Sequence, residues 1–594
     1  MGNSRDRIMD GLQFITPLGT PASDASRVDV ACFIGLVARR GDIRAQPGET
    51  PRARLQRVIP SGILEWLQIR RWVRFETVST AEEIVARNSH RTLEQLAELE
   101  DVPIPIESWD VFDELFDWDN RGLEQEDSPR RAGTRLGAAV REFFANGGRQ
   151  AYVIRAGNPT ALLAQRRVRL ALLARLIPDL VLRLGARANS FGDAELFGWR
   201  TSAIPLSPVD IGTWRGVGHL FGLPEVSFLG LPDLPDLLAA DLPAFLPSMP
   251  PLGPETFVET DGIRPDIDTA GLRALPVPRC DAEGYPQWAT VVQVLGEFLS
   301  DRRNRLREIQ FVGAVPLPIR ESDWALGSSL AEPAERVRAV FPRVQAAKQA
   351  QWVAAGSVQS AFVQLVYPWL RLVDSARLPG GLSAPDGFWI GLLAANALGQ
   401  GTWRNLQRTE LPTVLAVEPV VDPSTQRRPL PFNGTSLNAP RTLRERISLL
   451  GPSAGTLRVL SDVTTDDNET YRQAHVNRLI AALMRATRMT GEALVFRNNG
   501  PQLWREVEDS LRTTLEALWA EGALDGANPR EAFSVRCDRS TMSQADLDAG
   551  RLIAQLILQP ASTIERIEIV LALDDGGQIS LVGVRPDASR REAA

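Results

Sequence analysis

Residues 141–155, REFFANGGRQAYVIR, carry a helix into a strand around Asn146, Gly147 and Gly148. Upstream, Leu136, Ala139, Val140, Phe143 and Phe144 recur at the spacing of one helical face. Downstream, residues 151–154 read as a short apolar strand. Glycines at a helix end can supply the left-handed residues of a C-terminal cap. They can also cradle a phosphate with backbone N–H groups. Taken alone, the stretch leaves both readings open.

The chain has 594 residues, too many for one hydrophobic core, which predicts about two to four domains. Its 44% hydrophobic and 23% charged residues are ordinary for a soluble globular protein. No apolar run reaches the roughly 18 residues of a membrane span, so no membrane insertion is expected. The opening MGNSRDRIMDGLQFITP lacks a signal-peptide pattern, which predicts synthesis and folding in the cytoplasm. Acidic and basic residues are interspersed with a net charge of −7, which argues against nucleic acid as a partner. Lys348 is the single lysine, an arginine bias that suits a GC-rich genome better than a binding mechanism. Cys32, Cys280 and Cys537 lie far apart and predict neither a disulfide scaffold nor a cysteine zinc site.

Two stretches differ in texture from the rest. Within residues 41–100, capping patterns from Ser79 to Glu82 or Thr80 to Glu83 predict a helix over about 80–98. Residues 231–287 are rich in proline and acid and predict a surface insertion or a small loop-rich domain. Between them strands and helices alternate, which predicts an α/β domain over roughly 103–400. The last third reads as α+β. Helices over about 470–490 and 501–524 flank a strand at 493–496, and three further strands follow in EAFSVRCD, RLIAQLILQP and IERIEIVLAL.

No catalytic set emerges. GVGHLFG (216–222) approaches a dinucleotide fingerprint, but its third glycine comes one residue late. His90, His219 and His475 are scattered and read as surface or packing residues. Asp538, Asp546 and Asp548 echo a calcium loop without its spacing, and Ser543 with Asp546 suits a helix start better. The pairs Asp466–Asp467 and Asp574–Asp575 read as solvated turns. No cofactor and no metal are therefore expected. The rival class, a hydrolase with its site in the middle insertion, would need a clustered nucleophile, base or metal set, and no segment offers one. Arg478 and Arg485 are seven residues apart, hence on one helical face; that face reads as solvated or as a docking surface for an acidic partner.

Several segments, taken in order, resemble the contractile tail sheath family of phages and phage-tail-like injection systems. They are VDVACFIGLVARRG, IPIESWDVFDELF, LGAAVREFFANGGRQAYVIR, VSFLGLPDLPD, VQLVYPWLRL (363–372), APDGFWIGLLAANALGQGTWRN (384–405), and most of the chain from NETYRQAHVNRLIAALMRAT onward. The family's opening Gly-Val-Tyr-Val-Glu-Glu strand is replaced here by GLQFITP (11–17).

The resemblance implies an α/β and α+β multidomain protein with a sheath-type core, a C-terminal α+β domain, exchanged terminal β-strands and surface insertions. Its expected parts are an N-terminal arm (1–28), a first core segment (29–40 and 101–160, with 41–100 inserted), and a middle α/β domain (161–400, with the proline-rich insertion at about 231–287). A C-terminal sheath domain (401–573) and a C-terminal arm (574–594) complete it. The implied function is structural: polymerisation as a six-fold helix around an inner tube, and contraction that drives the tube through a target envelope. A specialised ring near the cap or baseplate is the alternative. Implied partners are copies of the chain itself, an inner tube protein, and baseplate and cap proteins, within a phage tail or tail-like particle. Strand addition between subunits is expected at Leu12, Gln13, Phe14 and Ile15, and at Gln578, Ile579, Ser580, Leu581 and Val582; for the last five a plain hairpin is the alternative. Arg478 and Arg485 are expected to face the tube. On this account Asn146, Gly147 and Gly148 form a corner of the core and no ligand cradle.

Overall fold

The computed structural model describes residues 28–73, 75–78, 81–83, 91–122, 131–178, 205–241, 277–320, 333–430, 441–494, 499–561, 567–574 and 578–586, with positions 180, 183 and 272. Its larger unit is built on an eight-stranded sheet. In chain order the strands are β1 (Ala31–Leu36), β2 (Pro103–Ile106), β3 (Ala151–Gly157), β4 (Phe228–Gly230), β5 (Gln310–Ala314), β6 (Val363–Tyr367), β7 (Ser448–Ser453) and β8 (Thr456–Val459). Across the sheet they run β8-β7-β6-β5-β4-β1-β3-β2. The six inner strands are parallel, and β2 and β8 close the margins antiparallel. Strands β1, β3, β5 and β6 are buried at every position, as expected for a parallel sheet covered on both faces.

Four helices matter for this unit: α1 (Arg135–Ala145), α2 (Gly284–Ser300), α3 (Pro333–Ser357) and α4 (Pro385–Gly399). Thr134 starts α1, its hydroxyl accepting the Gly137 N–H at 3.1 Å. The helix ends where the sequence turns to Asn-Gly-Gly. Gly147 has φ +99°, and the N–H groups of Gly147 and Gly148 donate back to the carbonyls of Phe144 (3.2 Å) and Phe143 (3.0 Å). This pair of bonds is a Schellman ending, so the glycines satisfy a helix terminus and send the chain into β3. Helices α1 and α4 pack closely because glycines face the contact. A Cβ on Gly387 would lie 2.3 Å from the Ala139 Cα, and one on Gly391 would lie 2.8 Å from the Phe143 carbonyl oxygen.

The second unit has its own core. Helices α5 (Ala474–Leu494) and α6 (Pro501–Ala520) cover an antiparallel sheet of β9 (Phe533–Arg536), β10 (Leu552–Leu558), β11 (Ile567–Asp574) and β12 (Gln578–Pro586). Val476, Leu479 and Leu483 of α5 meet Leu503, Leu511 and Leu515 of α6 and the inner side of β10. Strand β10 alternates buried and half-buried residues, the pattern of a sheet with one covered face.

Four expectations need correction. Part of the stretch foreseen as a helix at 80–98 is a hairpin, Glu76–Val78 against Ala81–Glu83, and helix appears only at Leu93–Ala97 under a Thr92–Gln95 capping box. The strand foreseen at 493–496 begins as helix, since α5 runs through Gly491 to Leu494 and a single glycine weakens a helix without stopping it. Residues 231–240, assigned to the insertion, belong to the core, with Leu234, Leu237 and Leu238 buried in it. The boundary foreseen between 400 and 401 falls inside the larger unit: β7 and β8 continue its sheet, and its hydrophobic core reaches Leu460.

The α1–α4 contact generates a test. Gly387→Ala should destabilise the protein by about 1–3 kcal/mol through overpacking. Gly399→Ala, where a Cβ meets nothing within 4 Å, should be neutral. Denaturant unfolding midpoints of the two variants check this.

Candidate functional site

Open parallel sheets hold ligands at the edge beyond the C-terminal ends of their strands. Protein fills it. Asp233, just after β4, accepts the Leu36 N–H at the end of β1 (2.7 Å). Asp236 pairs with Arg121 (2.6 Å) and Arg135 (3.4 Å), and Arg135 lies 4.7 Å over the Trp369 ring. Burial raises Asp233 to about 7, with Asp236 adding repulsion. Burial would raise Asp236 as well, but Arg135 and Arg121 hold it below the ordinary carboxylate range. Nothing in the sequence flagged this network beyond the spacing of Asp233 and Asp236 around a proline.

The discarded motifs also have structural roles. Residues 216–222 form a 3₁₀ turn in which Gly216 takes φ +47° and sits so close to its neighbours that a Cβ there would lie 2.2 Å from the Leu176 carbonyl oxygen. His219 is buried; its Nδ1 accepts the Trp72 indole N–H (3.0 Å), and its Nε2 lies 3.1 Å from Asp101. His90 lies outside the described residues. Asp538 accepts from the N–H (2.7 Å) and hydroxyl of Ser540, while Ser543 and Asp546 form a capping box, so these acids close a turn and a helix start. Among the described residues no cluster of His, Cys, Asp and Glu could hold a metal ion. Asp467, expected to be solvated, is paired with Arg446 at 2.7 Å.

Arg478 and Arg485 need correction too. They are 4% and 3% exposed and turn into the protein, so they do not form an outward docking face. Arg478 forks onto Asp462 (3.1 and 2.7 Å) and also donates to the Thr402 and Arg404 carbonyls. Asp462 in turn accepts the Leu406 N–H and the Gln364 amide. Arg485 donates to the Glu225 and Val226 carbonyls and the Ser227 hydroxyl, and Arg488 with Arg485 grips Glu308. Ser227 precedes β4 and Glu308 precedes β5, so α5 lies across the N-terminal edge of the large sheet. A seven-residue spacing fixes which face carries the arginines and leaves open what that face meets. Between α5 and the sheet edge lies a cleft of about 430 Å³.

The second feature is an open edge. The margins of the large sheet are blocked: β2 carries Pro103 and Pro105, which lack N–H groups, and residues 408–411 bond along β8. Strand β12 spans nine residues and pairs on one side with β11. Among the described residues no strand pairs with its other side. Gln578, Ile579, Ser580, Leu581 and Val582 thus close the chain's own sheet as a hairpin strand. Leu12, Gln13, Phe14 and Ile15 lie outside the described residues.

These features define a mixed α/β, multidomain protein whose C-terminal unit is locked onto the N-terminal edge of a parallel sheet and ends in an edge strand. Residues 466–572 match the model of the phage tail sheath C-terminal domain, which places this segment in the tail sheath family. No curated protein matches the chain. Among solved structures, the chain is similar to a chain of the anti-feeding prophage baseplate, 6-fold symmetrised (15% identity, 91% of each chain, TM-score 0.46). It is also similar to the anti-feeding prophage helical sheath in the contracted state (16% identity, 91% of this chain and 92% of that one, TM-score 0.45). A third is the sheath complex of the extracellular contractile injection system PVC, in the contracted state (17% identity, 78% and 86%, TM-score 0.39).

The junction predicts a stability profile. Arg478→Ala strands Asp462 as a buried lone charge and should cost about 3–5 kcal/mol, whereas joint Arg478→Met and Asp462→Leu should recover much of the loss. Burial opposes the Asp462 charge, but Arg478 and the Leu406 N–H hold its pKa below the ordinary 3.8. Its contribution is therefore complete above that pH and is lost as pH falls through the lower folded value. Burial lowers His475 from 6.5 to about 4, so the folded chain loses stability as pH drops between those values. Thermal unfolding from pH 7 to 3 should show both losses, and His475→Asn should remove the upper one.

Proposed function

We propose that this chain is a structural subunit of a contractile sheath. It polymerises as a six-fold helix around an inner tube and contracts to drive that tube through a target envelope. The observation that carries the proposal is that the tail sheath domain match, 466–572, coincides with a separately cored unit ending in an open nine-residue edge strand. Such an edge offers rows of N–H and C=O groups to another chain.

In this reading Leu12, Gln13, Phe14 and Ile15 of one copy add to the sheet of a neighbour. Residues 578–582 exchange their pairing with β11 for the same pairing in another copy, which conserves the main-chain bonds. Contacts that repeat without closing build a helix. Contraction is a passage between two packings of the same subunits. Copies of the chain, the inner tube, and baseplate and cap proteins are its partners in a phage tail or tail-like particle. The tube contact falls to residues other than Arg478 and Arg485, which are spent inside the chain.

Electron microscopy tests this. The full chain should form striated hollow cylinders, and deletion of residues 574–594 or 1–20 should abolish them while leaving folded monomers. Cylinders of normal length from both truncations would refute the strand exchange.

A further inference from the structure

We propose that the cleft between the two cores seats the base of the chain's own N-terminal arm, residues 22–27, and so ties the arm to the junction. Three observations carry this. First, Gln310 at the start of β5 lines the cleft and is only 7% exposed. Yet neither its side-chain nitrogen nor its oxygen has a partner among the described residues. A buried carboxamide left bare is costly and needs one acceptor and one donor, which a peptide unit supplies together.

Second, the charges around the cleft are largely taken up. Arg478 is held by Asp462, Glu308 by Arg485 and Arg488, and the Arg307 Nε–H by the Ser300 carbonyl. The remaining demand is for neutral hydrogen bonding beside the apolar wall of Ile480, Ala481 and Met484, which suits backbone better than a charged metabolite.

Third, Val28, the first described residue, itself lines the cleft, so residue 27 begins one Cα step of about 3.8 Å away. Attachment gives the preceding segment a high effective concentration there. The first five residues of that segment, Ala22-Ser23-Asp24-Ala25-Ser26, have the small side chains a narrow cleft admits.

The seat belongs to the single chain and does not depend on polymerisation. Limited trypsin digestion of the dilute, unpolymerised full-length chain tests it, with cleavage after Arg27 measured by mass spectrometry. Arg5 and Arg7 should be cut quickly and Arg27 slowly. Ala481→Trp, which fills the cleft from the half-exposed face of α5, should raise the Arg27 rate at least tenfold at an unchanged thermal midpoint. Gln310→Leu, which withdraws the amide, should accelerate it as well and decides the matter if the tryptophan variant fails to fold. Equal Arg27 cleavage in the parent and the folded variants would overturn the proposal. So would protection that appears only as concentration rises, which would assign the cleft to a second copy.

Discussion

The fork of Arg478 onto Asp462 is the interaction that fixes how the two cores sit together. Both groups have left water, and that desolvation is offset only while each keeps its partner and its further hydrogen bonds to Thr402, Arg404, Leu406 and Gln364. An apolar interface would tolerate sliding, whereas these bonds are directional. Arg485 and Arg488 add a second point of attachment two turns along the same helix, at the carbonyls before β4 and at Glu308. A helix pinned at two points cannot pivot about either, so the C-terminal unit moves with the sheet.

The elements with strong periodicity were legible in the sequence: α1, α5, α6, and the strands at 151, 533, 552 and 567. Asn146–Gly147–Gly148 was legible as one of two things, a helix ending or a phosphate cradle, and the hydrogen bonds of the folded chain show the ending. What failed depends on tertiary context. The arginine stripe on α5 has the composition of a solvated face, and only the folded chain shows that the face meets another core. The 80–98 stretch carries competing capping patterns, and pairing with 76–78 took part of it into a hairpin. The proline-rich composition of 231–240 suggested a loop, but its leucines complete the core and its two aspartates satisfy β1 and two buried arginines.

The parallel sheet keeps the topology of ligand-binding α/β folds, yet its C-terminal edge is spent on holding itself together. Asp233 and Asp236 stand where an open sheet of this kind would meet a ligand, and Gly35 is required there because a Cβ would strike Asp233 at 2.3 Å. A cleft of about 430 Å³ lies at the sheet's opposite edge, under α5, where the two units and the start of the described chain converge. Fold and site thus separate: the architecture is shared with enzymes, and the side chains have converted the usual pocket into a strut.

The two prolines of β2 and the 408–411 cover on β8 have an effect beyond the monomer. They cap the broad sheet at either flank, so crowded copies find no template there for side-by-side β-stacking into amyloid. Main-chain adhesion is left instead to the small C-terminal sheet, where no strand among the described residues pairs with the outer side of β12. The chain is thereby guarded against the misassembly that its broadest sheet would otherwise invite.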